Sequence, residues 1–442
     1  MKKTLIYFIV SFLAGLLVYF LPFNISYQAH VVLAILVTIG SLWLTEAMPI
    51  HVTSLLIPFF LVLLANIDTT EAFVPFFDPV IVLLLGGFAL AYGLQKYHLD
   101  ETIAFFFINK IGTSPKRFLL AIMLATAFLS MWMSNTATAA VMMPIVLIVL
   151  VDSKLKPFKS TYAKSIILGV AFAATIGGLG TIVGTTPNAM AVKFLADQGT
   201  TILFFDWMYY ALPFTFIFLF VCWFVLTKVY KADIKELRVK KYSTKLTNHQ
   251  KKTLAIFALT AFLWLTSEIH KVSISLIALI PIFLFYILKL FDTEDFGKFH
   301  WDTLILVGGG LSLGSAISSS GLNVVVADLM RILMGGNPLF IVLFLISIFC
   351  IAMTVFTSNT GTAAFIMPIV IPLAASLGID AKILVILAGI SVSLDFLVPV
   401  GTPPNAIAYA TGYIHIKDMV KTGVIIALIG AFLLSLLVWM YW

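Results

Sequence analysis

Charge is scarce in this chain. Asp, Glu, Lys and Arg make up 11% of its 442 residues and hydrophobic types 61%, which excludes a soluble globular fold and makes the bilayer the solvent for most of the sequence. Cysteine is nearly missing too. Cys222 and Cys350 both fall in apolar runs, with neither metal-ligand spacing nor a disulfide framework, and are read as packing residues. No GKS or GKT accompanies the glycine-rich stretch GGLGTIVGTTPN, so a nucleotide-binding loop is excluded. No nucleophile, base and orienting residue stand together, which argues against a membrane enzyme. The first apolar segment, LIYFIVSFLAGLLVYFLPF, has no clear small-x-small cleavage site and is followed at once by another; it is expected to remain as a transmembrane helix.

The net charge of +7 does not indicate nucleic acid, because the basic residues collect in short connections. The stretch LTKVYKADIKELRVKKYSTKLTNHQKK holds 9 of the 27 Lys and Arg, as a cytoplasmic loop does under the positive-inside bias. With Lys2 and Lys3 inside, crossings are expected at about 4–22, 28–46, 50–66 and 76–95. HLDETIAFFFINKIG then suits a helix lying along the cytoplasmic surface. Residues 117–151 carry Ser134-Asn135-Thr136 between two apolar arms flanked on both sides by basic residues. A re-entrant hairpin with this polar tip buried in protein satisfies that pattern. A segment at 163–205, interrupted by GGLGTIVGTTPN, and a crossing at 207–226 lead to the basic loop 227–251. Crossings at 252–269, 272–290 and 301–321, a second surface-type helix in NVVVADLMRIL, a hairpin at 339–377, a segment at 383–413 interrupted by GTPPN, and a crossing at 421–441 complete the chain. The expected fold is an all-α polytopic membrane protein of 11 transmembrane helices and two re-entrant hairpins, in the plasma membrane, with a cytoplasmic N-terminus and an extracytoplasmic C-terminus.

The chain also repeats itself. WLTEAMPIHVTSLLIPFFL at Trp43 is echoed by WLTSEIHKVSISLIALIPIFL at Trp264, and LLLGGFALAYGL by LVGGGLSLGSAI. SNTATAAVMMPI at Ser134 returns as SNTGTAAFIMPI at Ser358, and GTTPN at Gly184 as GTPPN at Gly401. Four matches in one order indicate duplication. They divide the chain into an N-terminal helix (1–27), a first repeat (28–226) and, after the basic loop, a second repeat (252–442). An odd number of crossings between the copies makes the repeats inverted, the arrangement that lets broken helices meet at midplane for alternating access.

At each interruption, backbone groups lose their intrahelical partners and must find protein, water or ligand. Hairpin tip and helix break together offer hydroxyl and carbonyl oxygens to a monovalent cation. The first half supplies Ser130, Ser134, Asn135 and the Gly184 backbone; the second supplies Thr354, Ser358, Asn359 and the backbone around Pro403. All are neutral oxygen donors, which suits Na⁺. The start of each second arm turns its positive dipole end toward the tip and favours an anionic group.

Through SNT at Ser134 and Ser358, GTTPN at Gly184, and GTPPN at Gly401 with the following NAIAYATGYI, the sequence resembles the divalent-anion:sodium symporter family of dicarboxylate and citrate carriers. The resemblance covers nearly the whole chain. It implies an elevator-type carrier, usually a homodimer, with substrate between two sodium sites composed as above. It places the substrate carboxylates against Asn135, Thr136, Ser358, Asn359, Thr360 and Thr402, with Thr185 a weaker candidate. Threonine in both SNT motifs is closer to the C4-dicarboxylate branch than to the citrate branch, so succinate, fumarate and malate are expected. The alternatives are a cation-independent di- or tricarboxylate exchanger and a carrier of another small divalent anion such as sulfate. Asp395, where the family is usually apolar or small, does not transfer; an acidic residue at depth is a functional candidate. Glu46 and Glu268 are expected to act at helix ends, and His51, His98 and His270 to lie at the interface without a role in the chemistry.

Overall fold

Polar residues between the apolar runs set where the helices start. Ser26, Asp78, Ser134, Ser160, Ser358 and Asp380 each accept a hydrogen bond from a backbone N–H of the following first turn, removing one of the unpaired donors that any helix start exposes. Asn248–Leu265 begins four residues earlier than the hydropathy suggests, because Thr247 and Gln250 cap each other's backbone N–H. The computed structural model describes residues 2–112, 114–239, 244–334 and 336–441; part of the expected basic loop, 240–243, lies outside them. Among the described residues there is no strand.

Among the described residues, eight helices are long and apolar enough to cross a bilayer, and shorter apolar helices such as Ile50–Ala65 and Ile274–Ile287 accompany them. Trp301–Ser319 and Leu322–Met334 meet at a 78° bend. Each Ser-Asn-Thr motif lies between two packed helices. The first pairs Pro115–Ser130 with Asn135–Asp152, the second Leu339–Phe356 with Asn359–Leu377. Their arms are longer than half a bilayer requires; at about 1.5 Å per residue each reaches roughly 24–28 Å. Around GTTPN and GTPPN the helices are Thr161–Gly178 with Thr186–Asp197 and Ala381–Ser391 with Pro403–Ala410. The first stops short of residue 205, because Gly199 turns the chain in a left-handed conformation (φ 77°) and a new helix starts at Phe204.

Thr161–Gly178 is the central element. Every residue from Ser165 to Gly178 is buried, against both arms of the first hairpin, Phe204–Val229 and Pro403–Ala410. The second hairpin arm Asn359–Leu377 packs on Trp301–Ser319 and on Thr186–Asp197. Tyr27–Thr45, Ile50–Ala65 and part of Trp301–Ser319 form a smaller apolar core of their own. The elements carrying the Ser-Asn-Thr motifs and both helix breaks are thus gathered toward the middle of the molecule.

Candidate functional site

The two Ser-Asn-Thr tips share the same cap and the same partly buried hydrogen bond. Ser134 (φ −61°, ψ 146°) and Ser358 (φ −68°, ψ 148°) are the N-caps of the second arms. Behind them, the Ser130 hydroxyl donates to Asn135 Oδ1 at 2.7 Å, and the Thr354 hydroxyl donates to Asn359 Oδ1 at 2.7 Å. Ser130 and Thr354 are fully buried, so each fixes the orientation of the asparagine while its own oxygen keeps free lone pairs.

The helix breaks match as closely. Thr185 and Thr402 are both extended residues immediately before a proline-containing first turn. Asn188 donates to the carbonyls of Gly178 and Thr181 at 2.9 and 2.7 Å, and Asn405 to those of Asp395 and Val398 at 3.3 and 3.1 Å. These bonds hold each interrupted stretch folded over the start of its second half-helix and satisfy carbonyls that the break leaves without partners.

Tips and breaks enclose one cavity of about 410 Å³. Its lining includes the first residues of four helices, beginning at Asn135, Thr186, Asn359 and Pro403. Four positive dipole ends at one cavity favour an anion. No Lys or Arg is among the lining residues, whereas Asp302 and His300 are. Beside the cavity, a Cβ on Gly178 would lie 2.3 Å from Asn135 Oδ1 and 3.0 Å from the Gly184 carbonyl oxygen. Two neutral oxygens therefore pack directly on the Gly178 backbone, at a distance that only glycine allows.

The profile described as "Sodium:sulfate symporter transmembrane region" matches residues 2–442. The chain belongs to this sodium:sulfate symporter family. Over 96% of its length it is 35% identical to the "Sodium-dependent dicarboxylate transporter SdcS" of Staphylococcus saprophyticus, covering 88% of that protein. An uncharacterised transporter of Methanocaldococcus jannaschii is 38% identical over 91% of this chain and 92% of its own. Among solved structures, the YdaH transporter of Alcanivorax borkumensis superposes with a TM-score of 0.62 at 14% identity, covering 84% of this chain and 87% of that one; this likeness concerns the fold.

In this family member, Ser134, Asn135, Thr136, Gly184, Thr185, Ser358, Asn359, Thr360, Thr402 and Pro403 all line the cavity. Ser130 and Thr354 stand one layer behind it. Sequence reasoning missed Thr186, whose hydroxyl meets that of Thr360 and joins the first break to the second tip. It also missed the wall made by Ile50, Leu84, Phe88 and Leu306 and the helix start at His300, Asp302 and Thr303. The wall residues sit in ordinary apolar runs and the other three at an ordinary helix start, and only the packing of these helices against the tips brings them to the cavity. His98 and His270 bond locally, to Glu101 and to the Leu263 carbonyl.

Proposed function

We propose that this protein is a secondary carrier that couples inward Na⁺ movement to uptake of C4-dicarboxylates such as succinate, fumarate and malate. What carries the reading is the single cavity on which four helix N-termini and two Ser-Asn-Thr tips converge without a lining Lys or Arg. A dianion there is balanced by dipole ends, hydroxyls and co-bound cations, so substrate and Na⁺ bind with positive coupling. One cation is held by Ser130, Ser134, Asn135 and Gly184, the other by Thr354, Ser358, Asn359 and Pro403. The carboxylates meet Asn135, Thr136, Ser358, Asn359, Thr360 and Thr402, with Thr185 at the edge. The hydrogen-bond pairs Ser130–Asn135 and Thr354–Asn359 support a duplicated site, which we take as two inverted repeats (28–226 and 252–442) in an 11-crossing, elevator-type plasma-membrane homodimer with its N-terminus cytoplasmic.

Uptake of labelled succinate into proteoliposomes tests this. Accumulation should follow an inward Na⁺ gradient and collapse when choline replaces Na⁺. Equal uptake in choline would sink the coupled reading in favour of an exchanger. Competition by sulfate or citrate stronger than by fumarate would overturn the substrate class.

A further inference from the structure

The two helix breaks align over twelve positions, GGLGTIVGTTPN from Gly177 and LDFLVPVGTPPN from Leu394. The register is structural as well, since Asn188 bonds Gly178 and Thr181 where Asn405 bonds Asp395 and Val398. Asp395 is therefore the counterpart of Gly178. In the first break the missing side chain makes room for Asn135 Oδ1 and the Gly184 carbonyl. In the second, a carboxylate stands in that place. Its Oδ2 lies 2.0 Å from where a Cβ on Gly401 would be, so residue 401, which lines the cavity, has room only for glycine.

Asp395 is fully buried. Its Oδ1 accepts one long bond from the Leu397 N–H at 3.4 Å, and its Oδ2 has no hydrogen-bond partner among the described residues. Thr402 Oγ1 and Asn405 Oδ1, from the same break, are likewise buried without a donor. Several unpartnered oxygens, one of them on an acidic group, are costly to bury, and a bound cation would offset that cost. The first break has only Asn188 Oδ1 in that condition.

We propose that Asp395 is an anionic group of the second cation half-site, so that this half takes a monovalent cation in the absence of dicarboxylate, whereas the neutral first half takes its cation mainly together with the dianion. This rests on the two-site reading above. It gives the two repeats different work: the second half is charged first and prepares the cavity for the anion, and the first closes the pair.

The test uses the purified full-length protein without dicarboxylate, titrated with NaCl against choline chloride at constant ionic strength, with thermal stability as the readout. The wild type should be stabilised by Na⁺. Asp395→Asn should raise the half-stabilising Na⁺ concentration by roughly tenfold or more, the effect of removing one charge-assisted contact. Asn359→Ala should weaken the same response, and Asn135→Ala should shift it much less. If Asp395→Asn does not yield folded protein, Asp395→Gly, which restores the residue of the first repeat, carries the same expectation. A response lost in Asn359→Ala but unchanged in Asp395→Asn or Asp395→Gly overturns the role of Asp395 and leaves the two-site reading standing. No Na⁺ response in the wild type, with or without succinate, overturns both.

Discussion

Gly177 and Gly178 are neighbours at the end of one helix, yet a methyl group would meet different obstacles at each. At 177 it would lie 2.3 Å from the Ala127 carbonyl oxygen and 2.4 Å from the Ala127 Cα, both backbone atoms of the first hairpin arm. Backbone cannot step aside cheaply, and Gly177→Ala should cost about 1–3 kcal/mol or more through overpacking. At 178 the nearest atom is the Asn135 side-chain oxygen, which gives way more cheaply than backbone but loosens its bond from Ser130 in doing so. Gly178→Ala is therefore expected to retain most of its thermal stability while the Na⁺ concentration for half-maximal succinate uptake rises severalfold. A Gly178→Ala protein that loses stability as Gly177→Ala does, with unaltered Na⁺ dependence in the surviving fraction, would assign both glycines to packing.

Between elements, the repeated WLT motifs have matching jobs. Trp43 donates its indole N–H to the Ile50 carbonyl at 3.3 Å, and Trp264 donates to the Ile274 carbonyl at 2.9 Å, each fixing the start of the next helix. Each also reaches the hairpin of the opposite repeat. Trp43 lies against Gly361 just past the second tip, and Trp264 stacks on Phe204, which stacks on Trp132 just before the first. A polar tie crosses between elements as well. Lys193, on the second half of the first broken helix, pairs with Asp78 at 3.1 Å and with Asp197, while Asp78 caps Pro79–Lys96 through the Val80 N–H. Asp78→Asn keeps the cap and removes the charge. A double-mutant cycle of Asp78→Asn with Lys193→Gln, read by thermal unfolding, should give a coupling of about 1 kcal/mol, above the 0.3–0.5 kcal/mol scatter of independent sites. Additive single effects would mean that the pair does not tie these helices.

Over the whole molecule, large apolar side chains remain exposed along helices such as Lys2–Phe20 and Phe204–Val229, the surface expected of a protein solvated by lipid. Charge appears where helices end. Asp100, in the first turn of Leu99–Ile111, is buried, and that burial pushes its carboxyl up to about 6 from the ordinary 3.8, the Glu101 N–H and nearby His98 opposing the shift and the Glu101 carboxylate adding to it. Between these values the folded protein binds more protons than the unfolded chain, so its stability falls as pH rises from about 4 to 6 and stays reduced above. The contribution is on the order of 3 kcal/mol. Asp100→Asn should flatten this part of the stability profile and leave the protein more stable than wild type at pH 7.5, as measured by unfolding temperature in detergent across pH 4.5–7.5. Parallel wild-type and variant profiles would reject that origin.

Much of this protein was legible in the order of its residues. Helix starts are local events: Ser134 and Ser358 cap the arms they precede, and the prolines after Thr185 and Thr402 open the second half-helices, because the N–H groups involved lie within a turn of the capping residue. The duplication of those motifs pointed to one composite site before any packing was known. The site's apolar wall and its acidic rim were not legible. Leu84, Phe88 and Leu306 resemble every other apolar residue of a membrane helix, and Asp302 resembles a first-turn acid at any helix start. Which of them face the cavity depends on how Pro79–Lys96 and Trp301–Ser319 pack against the tips. Side-chain contacts between residues far apart in the chain made that choice, whereas the Asp395 carboxylate against Gly401 is a contact within one helix break, where the counterpart Gly178 meets Gly184 with backbone alone.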